Sequence, residues 1–213
     1  MEGSSKNRLY PRRKFDDPLD RRISKRAADQ HGTVAIRQLV SLGISASAVR
    51  DRVANGRLHR VYSGVVAVMP PKLLTRKGSM MAATLACRPG TLATHRAASA
   101  LYELRLSQRA WIDVTTPGMK GHRRQGIRVH DGTTLTAADV FVIDNIPCTS
   151  LARTLLDIAE DGRRRDVERA LDRAEQQRLL DMRAIEDVLE RANGRRGRSS
   201  CAPSSPSTAP AAR

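Results

Sequence analysis

Between residues 19 and 69 the apolar periodicity is cut into pieces too short for anything but brief elements, and glycine makes most of the cuts. Leu19, Ile23 and Ala27 recur every four residues, marking one helix face. Gly32 stops that helix, because glycine enters the left-handed backbone conformation in which helices end. Leu39, Val40 and Leu42 follow in a second short helix that stops at Gly43. Ile44 leads onward, Ser45 is a suitable N-cap, and a third helix runs to Asn55-Gly56. Its apolar face is Ala46, Val49 and Val53; Ser47, Arg50, Asp51 and Ala54 take the opposite side. From Leu58 to Val68 the pattern is that of two short strands turning at Ser63-Gly64.

Three short helices followed by a hairpin predict a winged helix-turn-helix over residues 19–69. Ser47, Arg50 and Asp51 then face the major groove of double-stranded DNA. Small side chains permit close approach, and an arginine can take guanine O6 and N7 with two hydrogen bonds. Asp51 either accepts from a cytosine amine or pairs with Arg50 or Arg52. Arg57, His59 and Arg60 flank the wing, where they reach phosphates. The same module can instead serve protein contact alone.

The charge balance favours the nucleic-acid reading. Lys and Arg number 38 against 22 Asp and Glu, a formal charge of +16, so the expected partner is a polyanion or an anionic membrane surface. No run of 18 apolar residues supplies a membrane span, and the N-terminus lacks the apolar stretch of a signal peptide. Cys87, Cys148 and Cys201 are scattered and form no CxxC pair, which argues against a zinc site or disulfide framework and for a cytosolic location. No cofactor is expected. With aromatics at 3%, the core has to be built from Leu, Val, Ile and Ala.

Residues 73–195 read as a second, α+β unit, a small sheet packed with helices. Thr75 caps a helix reaching Cys87, and Pro89-Gly90 breaks it. Thr94 caps another, with Ala97, Ala100, Leu101 and Leu104 inward. Trp111–Thr115, Ile127–His130 and Val140–Ile143 read as strands, the first two joined by a loop containing Lys120–Arg124. Helices follow from Ser150, around Val167 to Ala174, and from Asp181. Residues 1–18 read as a flexible basic arm, and the Ser/Pro/Ala-rich residues 196–213 as a disordered tail.

Catalytic signals are thin, and the chain reads as a non-enzyme. His95 follows a helix cap, where a structural hydrogen bond is the expected use; His122 and His130 read as solvent or phosphate contacts. Asp113 and Asp131 stand near strands, but no Glu-x-Lys strand accompanies them. HExxH, GxSxG and phosphate-binding glycine loops are missing. The acidic residues Asp166, Glu168, Asp172 and Glu175 interleave with arginines, the pattern of a solvated helix face.

The ordered pieces Ala28–Leu39, Leu42–Arg50, Gly56–Val65, Thr94–Leu101, Asp113–Thr115, Gly126–His130 and Ile146–Asp157 resemble the actinobacterial AbiEi-type antitoxins. The resemblance spans roughly residues 20 to 195. It implies an autorepressing antitoxin of a type IV toxin–antitoxin pair, whose second domain opposes a nucleotidyltransferase-like toxin without necessarily holding it. Two departures stand out. Ala35 replaces the Thr or Ser that caps the second helix in the family, which predicts a ragged start to that helix. Many relatives continue into a restriction-endonuclease-like domain; here a Ser/Pro/Ala tail follows, so no nuclease is carried over, and a nuclease-family remnant is the remaining alternative.

Overall fold

The structure is a computed structural model that describes residues 18–104, 110–118, 122–161 and 164–192. The expected tail lies outside the described residues, as does the expected arm apart from Pro18. The described residues form a mixed α+β fold of eight α-helices and two sheets.

The N-terminal part runs α1 (Pro18–Ala28), β1 (Thr33–Ala35), α2 (Ile36–Ser41), α3 (Ala46–Ala54), β2 (His59–Tyr62) and β3 (Val65–Ala67). The strands pair antiparallel in the order β1-β3-β2. Ile23, Ala27, Leu39, Ile44, Val49 and Val66 form a buried core beneath the helices. The hairpin turns at Ser63-Gly64 as expected, whereas β1 was not anticipated: its three residues are all buried and show no alternation. The cap of α2 also differs from expectation. Ala35 offers no side-chain cap, but its N–H donates to Gln38 Oε1 at 2.9 Å, the reciprocal half of a capping box, so the helix start is held.

The remainder comprises α4 (Arg76–Ala86), β4 (Leu92–Ala93), α5 (His95–Leu101), β5 (Ile112–Thr115), β6 (His122–Arg124), β7 (Ile127–His130), β8 (Val140–Ile143), β9 (Ile146–Thr149), α6 (Leu151–Asp161), α7 (Arg164–Gln176) and α8 (Met182–Arg191). Six strands form one mixed sheet, ordered β6-β7-β5-β4-β9-β8, with β5 parallel to β7 and β4 parallel to β9. Part of the expected loop 120–124 is therefore strand β6, paired with β7. Helices α6, α7 and α8 share a separate core that includes Leu155, Leu156, Val167, Ile185 and Leu189.

Helix α4 joins the two parts. Ala35 and Val65 of the small sheet belong to the same buried cluster as Met80, Met81, Val114 and Ile146. The crossing is close: a Cβ on Gly78 would stand 2.8 Å from the His31 carbonyl oxygen, so only glycine fits there. The β8–β9 turn adds polar contacts. His31 Nε2 donates to the Asp144 carbonyl at 2.7 Å, Asn145 Nδ2 donates to the Asp29 carbonyl at 3.2 Å, and Lys77 pairs with the Asp144 carboxylate.

Candidate nucleic-acid interface

Helix α3 begins at Ser45, whose Oγ accepts from the Ala48 N–H at 3.2 Å and lies 2.9 Å from Ser47 Oγ. Its inward side is Val49 and Arg52, with Ala48 and Val53 partly covered; Ala46, expected inward, is exposed. Arg52 takes that place because it has a partner. Its Nε donates to Asp20 Oδ1 of α1 at 2.7 Å and its Nη1 to the Ala48 carbonyl at 3.2 Å, with the side chain only 10% exposed. Asp51, for which a pairing with Arg52 was one expectation, lies on the outer side. Ser47, Arg50 and Asp51 thus share one exposed face, together with Ala54.

The wing candidates are divided. Arg57 donates from Nη1 to Asp20 Oδ2 at 3.0 Å and stays half exposed, so one carboxylate gathers Arg52 and Arg57. His59 is half-buried opposite Ala67, whereas Arg60 is exposed opposite Val66. The register shifts between Arg60 and Tyr62, a bulge that bends the strand. Arg60, Val61, Tyr62 and Ser63 then line a cleft of about 560 Å³ with Gln125 and Gly126 of the β6–β7 turn on its other wall. Burial pushes the Tyr62 hydroxyl above its ordinary pKa. Asp20 was not singled out in the sequence; its partners are 32 and 37 residues away, beyond any local pattern.

A second polar cluster lies on the large sheet. His130 Nε2 is 2.9 Å from Asp113 Oδ1, which corrects the expectation of a solvent or phosphate contact: the Asp113 carboxylate is buried, and the imidazole is drawn in to meet it. The His130 ring stacks on His95 with centroids 3.5 Å apart. His95 Nδ1 lies 3.1 Å from Thr94 Oγ1, the structural hydrogen bond expected of it. Asp131 Oδ1 accepts from the Thr133 N–H, closing a turn. The His122 side chain is outside what the structure describes.

Deeper still, Arg153 donates to both Asp157 and Asp139, and Arg191 of α8 donates twice more to Asp139. Burial pushes the Asp139 carboxyl up, but hydrogen bonds from Arg191 and Thr136, with the Arg153 charge, outweigh it and hold the group below the usual carboxylate range. No helix of the described residues is long and apolar enough to cross a membrane.

Residues 21–68 match the family model described as transcriptional regulator, AbiEi antitoxin. No curated protein matches the chain. The matched stretch runs from within α1 through β3.

Proposed function

Starting from this AbiEi-antitoxin-type segment, we propose that residues 19–69 form a winged helix-turn-helix that binds double-stranded DNA and regulates transcription. The observation that carries this reading is the division of α3: its inner side is pinned by Val49 and the Arg52–Asp20 pair, leaving Ser47, Arg50 and Asp51 presented together on the outside. In this reading α3 enters the major groove and Arg50 reads a base edge. The β2–β3 hairpin is the wing, with Arg60, and Arg57 and His59 beside it, on the phosphate backbone. Residues 73–195 act as the antitoxin-like domain. The regulated promoter is the protein's own, and the opposed activity is that of a nucleotidyltransferase-like toxin.

Titration of the protein onto a labelled duplex from upstream of its own gene tests the proposal. The expected result is binding that weakens with salt, with a log–log slope of about −0.9 per phosphate contacted. No binding at low salt overturns it.

A further inference from the structure

We propose that His95, His130 and Asp161 bind one divalent transition-metal ion of the kind imidazole favours, zinc foremost. This inference is independent of the DNA-binding reading and lies elsewhere in the fold, where the start of α5 and the end of α6 meet β7 of the large sheet.

Three observations converge. First, one ligand atom from each of His95, His130 and Asp161 lies within 4.8 Å of the others, and His95 also forms such a set with Asp157 and Glu160. Two imidazoles and a carboxylate suit zinc and its neighbours rather than calcium or magnesium, which take oxygen ligands. Ligand nitrogens about 2.0–2.1 Å from a tetrahedral ion stand roughly 3.3 Å apart, so a modest inward movement closes the set.

Second, the supporting contacts are those a metal site uses. Asp113 meets His130 Nε2 at 2.9 Å, which leaves Nδ1 as the nitrogen that would ligate. A buried carboxylate on the far ring nitrogen fixes the tautomer and raises the basicity of the ligating one. Arg128 donates to both oxygens of Asp161, at 2.7 and 3.3 Å, orienting a carboxylate whose remaining lone pairs still accept.

Third, a small cavity opens beside two of the three ligands, His95 and Asp161, with His130 stacked behind His95 rather than on its wall. It has a volume of about 10 Å³ and is lined by His95, Ser99 and Asp161 among others. That is room for a single water or ion and no organic ligand. The Ser99 side chain on its wall is 2% exposed, and its Oγ has no hydrogen-bond partner. Buried hydroxyls are nearly always satisfied, so Ser99 independently points to a polar occupant. With the ion held between the histidines and Asp161, a single bound water in the cavity supplies that partner. The stacked His95 and His130 rings must tilt apart as they turn their nitrogens toward it.

The test uses the full chain stripped with a chelator. Cobalt(II) is titrated as the spectroscopic probe, and zinc is added in competition. The expected result is one cobalt per chain with the visible absorption of a low-coordinate site, displaced by zinc. His95→Gln and His130→Gln each abolish the band, and Asp113→Asn weakens binding about 10–100-fold, as loss of an outer partner does. If the histidine variants fail to fold, the unmodified chain still decides: zinc must shift the imidazole NMR signals of His95 and His130. No cobalt band, a band that survives in folded His95→Gln, or zinc-induced shifts confined to other histidines overturns the proposal.

Discussion

Asp20 holds two guanidinium groups at once, and they are not equivalent. Arg52 is nine-tenths buried, so removing Asp20 takes a charged partner from a guanidinium in the interior; Arg57 is half exposed and can turn to water. Asp20→Ala is therefore expected to lower stability by about 1–3 kcal/mol. Arg57→Ala should cost no more than about 1 kcal/mol. Urea denaturation of both variants checks this, and equal losses would show that Arg57 carries as much as Arg52. The outward arginines separate by function instead. Arg50→Ala should cost about 1–3 kcal/mol on the specific site and little on random DNA, if Arg50 reads a base. Arg60→Ala should weaken both and flatten the salt slope by about one unit, as a phosphate contact does. Equal losses for Arg50→Ala on both duplexes would remove α3 from the groove.

At the level of elements, the helices were legible and several strands were not. Ser45, Thr75 and Asp181 each cap a helix where the sequence places one, because capping chemistry is local. Strand β9 is hidden by Pro147, a residue that counts against a sheet interior; its pairing with β4 is recorded at Ala93–Cys148, away from the proline. Strands β1 and β4 are too short to show a period, and β6 is written entirely in His and Arg. The outer face of α3 was legible from its 3.6-residue period, but Arg52 was not, since a charged residue points inward only when a distant partner awaits it. The same holds for His130 and Asp113, which lie 17 residues apart and meet only because β5 and β7 run side by side.

Two predictions belong to this scale. A Cβ on Gly132, just after β7, would sit 2.2 Å from the Thr116 carbonyl oxygen, an obstacle of backbone that cannot swing away. Gly132→Ala should cost about 3 kcal/mol, the upper end of overpacking, measured by thermal melting; a neutral substitution would mean this approach is looser than drawn. Asp139 ties α6 to α8 through Arg153 and Arg191, and its carboxyl is held below the usual range. A depressed carboxylate contributes stability fully above its unfolded value of about 3.9 and loses it as the pH falls through the folded value. Acid unfolding of Asp139→Asn should therefore depend less on pH below about 4 than that of the parent chain. An unchanged slope would assign the acid sensitivity to other carboxylates.

Across the whole molecule, the core crosses the boundary that the sequence suggests near residue 70. Ala35 and Val65 are completely buried in one cluster with Met80, Met81 and Val114, so the small sheet and the large one cannot separate without exposing both. The contacts of His31 with Asp144 and of Asn145 with Asp29 across the same seam point the same way. Loss of a shared apolar surface is what couples two units into one transition, and polar contacts at an exposed seam add little to it. Residues 19–69 should therefore unfold together with the rest of the chain. Trp111, the single tryptophan, stands beside β5 and reports the large sheet. Hydrogen exchange at the Val49 and Val66 amides reports the N-terminal part, whose core contains both residues. The two probes should give one urea midpoint. Met80→Ala, at the seam, should lower both by the same amount, about 2–5 kcal/mol for a buried methionine truncated to alanine. If the Val49 and Val66 amides exchange freely at a urea concentration that leaves Trp111 emission native, the N-terminal part is an independent unit. The seam would then be an interface between domains rather than a common core.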